Sequence, residues 1–492
     1  MSRRTKIGSV KSNFAMNFIL TISSILFPLI TFPYASRILL ADGTGKVAFA
    51  TSIATYFTML GMLGVPTYGI RACAQAREDK ERLSRTVQEL LVINAIMMSI
   101  SLSIYILAIN VIPKLSENRE LFILNSVVLI LNVVGCDWLY KGLEQYNYIT
   151  KQSLLFKIMA IILMFILVND RADYVNYAAV TIIASVGSYF LNFIRLREFI
   201  SIQPWKSLNI KKHLKPTLTF FMMTVATTIY TSLDSVMLGF MLDDKTVGLY
   251  NAAMNLKNVL VSLVTSLGVV LLPRLSVYIK QNKTEEFKAL TEKALNFVIF
   301  SSIPLTLFFI IFAEQAIYFL SGETFSGAIV PLKISMPTLI FIGMSNLFGI
   351  QMLVPMNKEY IVVKSVIAGA VINLILNCLL IPIYGANGAA IGTLVAEFIV
   401  TLYQGYYLKN LLLKQIPHLQ LPKFIVAAVV GIFFVSLVAE KMQIMSYFLQ
   451  LLLFSLMYAV LYVCLLALLK EKNITYLVAL LKNNGFSDRR RK

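Results

Sequence analysis

Long runs of predominantly apolar residues, separated by short polar breaks, recur along the whole chain. Seven fall at residues 14–36, 47–68, 87–112, 120–140, 153–169, 176–194 and 217–240. Seven more fall at 247–272, 294–313, 327–354, 365–382, 389–408, 424–439 and 446–469. A helix rises ~1.5 Å per residue, so ~20 residues cross a ~30 Å hydrocarbon layer. The pattern therefore predicts an all-α membrane protein with about fourteen transmembrane helices.

The polar breaks carry a second signal. Most of the 44 Lys and Arg residues fall in alternate breaks, among them 71–85, 195–215 and 274–293, and in the two terminal segments. The intervening breaks hold only isolated cations such as Lys46, Lys114 and Arg171. Because cytoplasmic loops are enriched in Lys and Arg, this alternation predicts that both termini are cytoplasmic. The basic N-terminal stretch leads into a long apolar run without a small-residue cleavage site, so we expect a retained first span.

Composition agrees with this reading: 58% of the 492 residues are hydrophobic, 14% are charged and mean hydropathy is +0.75, values that exclude a soluble globular domain. The net charge of +19 does not point to nucleic acid, because the cations sit in clusters between spans rather than on one soluble face. Four scattered cysteines form neither a disulfide framework nor a metal motif.

The longest polar break, 195–216, divides the first twelve spans into two sets of six. Gly45-Lys-Val-Ala-Phe-Ala50 opens the second span much as Gly248-Leu-Tyr-Asn-Ala-Ala253 opens the eighth, and each is followed one span later by Pro and a basic loop. A parallel repeat follows, as in transporters that rock two bundles about a central site. The expected organisation is an N-lobe at 1–205, a C-lobe at 206–410, and residues 411–492 holding the last two spans and a basic cytoplasmic tail. Within that tail, 473–484 has the spacing of an interfacial amphipathic helix, or is simply a solvated tail.

No catalytic residue, cofactor or metal site is expected. Asp42-Gly-Thr-Gly-Lys46 resembles the end of a phosphate-binding loop but lacks its first Gly and final Ser/Thr. His213 and His418 are expected at the surface of cytoplasmic loops, without a carboxylate partner. A membrane-embedded glycosyltransferase or polymerase would need a large polar domain or loop for donor and acceptor, and the outer loops are too short to supply one.

The informative residues are ionisable groups inside spans, each costing roughly 2.5–3.5 kcal/mol at mid-bilayer. Lys257 lies about 15 Å into the eighth span and Glu397 about 12 Å into the twelfth. They either form a buried pair that locks helices or face a water-filled cavity, the reading we prefer. Lys333 is shallower. Asp234, Arg37 and Asp137 lie near span ends, where snorkelling or helix-end pairing is as good an explanation as transport. Asn373 and Asn377, four residues apart on the eleventh span, either face the cavity or bond another helix. Pro28, Pro33, Pro304 and Pro337 favour kinks.

Three stretches together resemble the Wzx-type polysaccharide repeat-unit flippases of the MOP exporter superfamily. The first runs from Phe32-Pro-Tyr-Ala-Ser-Arg-Ile-Leu39 through Gly45 to Gly69-Ile-Arg71. The second is Leu233-Asp-Ser-Val-Met-Leu238 with Val247-Gly-Leu-Tyr-Asn-Ala-Ala253 and Leu272-Pro-Arg-Leu-Ser276. The third is Gly369-Ala-Val-Ile-Asn-Leu-Ile-Leu-Asn377 with Gly388-Ala-Ala-Ile-Gly-Thr393 and Glu397. The resemblance implies two lobes around a central cavity and alternating access. It also implies an undecaprenyl-diphosphate-linked oligosaccharide as cargo in the bacterial cytoplasmic membrane. Partners would be membrane lipids and polymerase or other assembly proteins, and no nucleic acid. Cationic cavities are usual in the family, which marks Lys257, Lys333, Arg37 and Arg71 as cavity cations by location. Glu397, Asp234 and Asp137 become coupling or ion-pair candidates. Lipid II flippases and drug or cation exporters of the superfamily are the alternatives. The first span has no ionised residue between Asn13 and Ser36, where some lipid II flippases carry charge.

The alternation is directly testable. Single cysteines placed at both termini and in 71–85 and 195–215 should react with a membrane-impermeant thiol reagent only after the membrane is opened; labelling of a terminus in intact cells would overturn the assignment.

Overall fold

The computed structural model describes residues 10–415, 419–442 and 446–471. The expected helix at 473–484, the basic tail and His418 lie outside the described residues. Every regular element among the described residues is helical. Ten helices are long and apolar enough to cross a membrane, or up to twelve when two bent pairs each count as one span.

The predicted count of fourteen is not reached by that measure, and the difference has identifiable sources. Val10–Met62 is counted once although it covers the first predicted span and most of the second. It is not one straight helix: Leu40 has φ 57° and ψ −172°, outside the helical region. At ~1.5 Å per residue an unbroken helix of this length would extend far beyond ~30 Å of hydrocarbon, whereas each arm alone suffices. The break falls at Leu40, while Pro28 and Pro33 stay within the helical run. Lys211–Met241, covering the seventh predicted span, is not among the ten. Pro337 does sit at a bend, where Glu323–Ser335 and Thr338–Leu353 meet at 49°.

Lys80–Val111 shows why these sequences fold as lipid-facing helices. Ile96, Ile100, Ile104 and Leu107, spaced three or four apart, are about half exposed, while Asn94 and Ser101 on another face are buried. The outside is apolar and the polar groups turn inward, reversing the pattern of a helix in water. Asp79 caps the helix, its carboxylate accepting from the Glu81 and Arg82 amides at 2.9 and 3.1 Å. Deeper in, Ser101 Oγ donates to the Phe57 carbonyl at 2.6 Å and Tyr105 OH to the Phe122 carbonyl at 2.9 Å.

Two compact units result, one of residues 1–251 with 377–386, the other of 252–376 with 387–492. Contacts inside each unit reveal helix direction. Thr150 Oγ1 donates to Met16 O, Lys157 Nζ to Ser23 Oγ and Tyr34 OH to Val168 O, and all three pairs are 134 residues apart. A constant separation means that the first arm and Tyr146–Leu167 run parallel. In the second unit Gln415 bonds Thr291, and the Gln420 amide donates to Asn296, both at a separation of 124. Phe300 meets Phe424 at the same spacing, so Thr284–Ile311 and Leu421–Lys441 are also parallel. The second arm runs the opposite way to Lys80–Val111: advancing from Phe57 to Gly61 retreats from Ser101 to Met98. These directions are those that strict alternation of the predicted spans requires.

The two similar motifs found in the sequence meet in space, inside the first unit. A Cβ on Gly45 would lie 1.7 Å from the Asp244 carbonyl oxygen, and one on Gly248 would lie 1.9 Å from that of Ala41. In each case the obstacle is the carbonyl four residues before the partner glycine, so the contact is reciprocal. Neither obstacle is a flexible side chain, and a methyl group would force the helices apart. Gly45→Ala or Gly248→Ala should lower stability by about 1–3 kcal/mol, read as a drop in the melting temperature of purified protein. Gly405→Ala, whose new carbon would meet nothing closer than 3.7 Å, should melt near wild type.

Candidate functional site

Both units bury polar residues that tie helices together. In the second unit Lys257 is the fourteenth residue of Asp244–Lys280 and only 8% exposed. Glu397, twelfth of the 22 residues of Ala386–Tyr407, is 7% exposed. Around Glu397 the helix is tied by neutral groups. Asn373 Nδ2 donates to Thr393 Oγ1 at 3.3 Å, one turn before Glu397. One turn after it, Thr401 Oγ1 reaches both the Glu397 and Phe341 carbonyls at 2.9 Å. Lys333, on the short helix Ile329–Ser335, is exposed.

In the first unit Asp234 is buried, with a neutral donor on each carboxylate oxygen. Asn377 Nδ2 donates to Oδ1 at 2.7 Å and Tyr250 OH donates to Oδ2. Three helices thus meet at one carboxylate: Lys211–Met241, Asp244–Lys280 and Glu359–Tyr384. Asn373 and Asn377, one turn apart, are both buried and each bonds a residue of another helix. Asp137 opens the short helix Asp137–Gly142 and pairs with Lys141 at 2.6 Å. Arg37 is exposed and its guanidinium donates to the Pro33 carbonyl at 2.5 Å, while Arg71 lies exposed on Val65–Ala76.

Two features escaped the sequence reading. The first corrects the placement of His213, which is buried at 3% exposure rather than at the surface. It does have a carboxylate partner: Nε2 lies 2.8 Å from Glu89 and Nδ1 2.8 Å from the Tyr68 hydroxyl. Glu89 is fully buried and also accepts from the Asn209 amide at 2.6 Å and from Lys212 at 2.8 Å. The segment between the sixth and seventh spans is thereby fastened to Lys80–Val111, helped by Ser84 with Ser201 and Gln88 with Gln203. The partners are 124 residues apart, so no local motif announces them.

The second is Lys157. The apolar run suggested a span starting at 153, which put this lysine among the cytoplasmic edge residues. The helix begins at Tyr146 and makes Lys157 its twelfth residue of 22. Its ammonium donates to Ser23 and Ser24 Oγ at 2.9 and 2.8 Å.

The elements described so far define a polytopic, all-helical membrane protein with the fold of the MOP transporters. Two solved structures share it: "Lipid II flippase MurJ, inward closed conformation" (TM-score 0.70, 16% identity, 94% of this chain and 99% of that one) and an inward-facing multidrug resistance MATE family transporter (TM-score 0.60, 14% identity, 80% and 98%). The family described as "Polysaccharide biosynthesis protein" matches residues 10–279, more than half of the chain, and the MatE family matches 220–379. The chain belongs to the polysaccharide biosynthesis protein family. Similar relatives include the "Putative O-antigen transporter" of Shigella dysenteriae, 26% identical over 400 residues, 80% of this chain and 98% of the relative. The protein of the same name in Escherichia coli (strain K12) is 24% identical over 390 residues, 79% and 94%.

Burial pushes the His213 imidazole below its usual pKa, against the opposing pull of the Glu89 carboxylate. A base whose folded-state pKa is depressed contributes stability that is present above its unfolded value of ~6.5 and is lost as pH falls through the folded one. The melting temperature of wild type should therefore fall between pH 7 and 5 by more than that of His213→Gln. Glu89→Leu should cost about 3 kcal/mol at pH 7, at the low end for a buried ionic contact because Lys212 is half exposed.

Proposed function

We propose that this protein is a flippase that carries polyprenyl-diphosphate-linked oligosaccharide repeat units from the cytoplasmic to the outer leaflet of the bacterial cytoplasmic membrane. It acts by alternating access in the assembly of cell-surface polysaccharide. The observation that carries the reading is similarity over about four fifths of the chain to relatives named "Putative O-antigen transporter". Lys257, a buried cation in mid-helix, gives that reading a physical basis. A diphosphate cannot enter hydrocarbon without compensation, and a lysine in a low-dielectric setting offers it.

Lys257 is the leading candidate for that role, with Lys333, Arg37 and Arg71 as supporting cations at shallower or more exposed positions. Glu397 tunes Lys257 or carries a coupling proton or cation; Asp234 and Asp137 serve structure or coupling. On this reading 1–205 and 206–410 are the two alternating lobes, 411–492 supplies the additional spans, and both termini are cytoplasmic. The protein forms and breaks no glycosidic bond. Polymerase and other assembly proteins of the pathway take over the unit after it crosses.

One observation favours a second reading, export of drugs or cations: Glu397 is a buried mid-span carboxylate, and a drug transporter shares the fold. A deletion strain separates the two readings. It should accumulate completed lipid-linked units on the inner leaflet; a shorter glycan would indicate a transferase, and altered drug sensitivity alone an exporter. In the complemented strain Lys257→Ala should abolish export at normal protein levels while Lys257→Arg retains part of it. Full export by the alanine variant would leave Lys257 with a packing role.

A further inference from the structure

Within the first unit two neighbouring cavities of about 350 and 270 Å³ share Asp137, Lys141 and Tyr189 in their walls. Each is far larger than the ~30 Å³ share of one water. The larger is bounded by the first arm, Tyr146–Leu167 and Tyr174–Val186, with Lys157 in its wall and Ser24, Ser153, Ser185 and Ser188 among its hydroxyls. Charge in this space does not balance. Asp137 is taken by Lys141 at 2.6 Å, and among the described residues no carboxylate pairs with Lys157.

The orientation of Lys157 is set from behind. Ser23 and Ser24 spend their hydroxyl hydrogens on the Leu20 carbonyl, at 2.7 and 3.0 Å, so only their lone pairs face the ammonium. Two of the three ammonium hydrogens are used there, which leaves one for a ligand. A second donor is close by. Gln152 is 6% exposed and bonds Asn192, yet one polar atom of each amide lacks a partner. Turning both amides over keeps their mutual bond and presents the Gln152 NH₂ as the unused group. In the wall of the smaller cavity the indole N–H of Trp138, buried at 2% exposure, also has no acceptor. An unmatched cation and two unused buried donors, among hydroxyls, are complementary to an anion bearing several acceptor oxygens.

We propose that this space is a docking site for the phosphate-bearing headgroup of the transported lipid. Lys157 and Gln152 hold the anion, Trp138 donates from the adjoining cavity, and the serine hydroxyls face the first sugar. The proposal rests on the flippase reading for the identity of the ligand. Its test is a binding measurement that does not depend on export.

Trp138 provides the signal. The chain has two tryptophans, and Trp205 is exposed, so Trp205→Phe leaves the cavity residue as sole reporter. Full-length Trp205→Phe protein in detergent is titrated with inorganic pyrophosphate and, separately, with undecaprenyl diphosphate. A saturable change in Trp138 emission is expected. Lys157→Gln should raise Kd by about tenfold or more, as expected for loss of a charge-assisted bond, and Lys157→Arg by much less. Ser153→Leu, which fills the cavity and keeps Lys157 with its serines, should weaken binding to a similar extent in protein that melts like its parent. Response to both probes identifies the diphosphate itself as the ligand, and response to the lipid alone shows that the prenyl chain contributes; either supports the site. Equal Kd in the parent and Lys157→Gln, or no saturable response to either probe, overturns it. A chain that exports only drugs would fail the deletion-strain test whatever the titration shows, so the two readings fail separately.

Discussion

A polar group inside hydrocarbon has no water to fall back on, and nearly every interior contact in this protein answers that constraint. Serine, threonine and tyrosine hydroxyls donate to main-chain carbonyls, and the buried carboxylates of Asp234 and Glu89 are met by donors. Asp234 shows the logic in its densest form. A buried carboxylate there is tolerated because Tyr250 and Asn377 each bring a donor, and three helices are thereby committed to one meeting point. Asn373 with Thr393, and Thr401 with two carbonyls, repeat the scheme around Glu397 in the other unit.

The same constraint explains why the architecture was readable before any coordinates. Spans must be long, apolar and helical, and their order leaves a charge alternation in the loops, so hydropathy and Lys/Arg placement together convey fold class and direction. The glycine motifs were legible for a related reason: Gly45 and Gly248 touch backbone to backbone, where a side chain cannot substitute, and that demand leaves a trace in each motif. The span count was less secure. The break at Leu40 falls in the gap between the first two predicted spans, although Val10–Met62 is otherwise one helical run, and Pro28 and Pro33, which favour kinks, sit inside it while Pro337 does mark a bend.

The interior chemistry was only half legible. Lys257 and Glu397 announced themselves because a charge in the middle of an apolar run is costly and conspicuous. Lys157 did not, since four apolar-run residues before it looked like a span edge when the preceding residues from Tyr146 are already helical. The His213–Glu89 contact was invisible for a different reason. Each residue alone looks like an ordinary loop or helix-end group, and only the return of the connecting segment onto Lys80–Val111 brings them together.

The unchanging separation of 134 residues along the first arm and Tyr146–Leu167 has a consequence for how this protein can tolerate insertions. Residues added in the loops between the two helices lengthen the connection and leave their mutual phase untouched. One residue added between Thr150 and Lys157 would turn everything beyond it by ~100° relative to the helix start. Thr150 would still find Met16 while Lys157 swung away from Ser23 and Ser24, and Tyr34 would lose the Val168 carbonyl. Length variation among related chains should accordingly gather in the connections and leave this pair of helices as a fixed ruler.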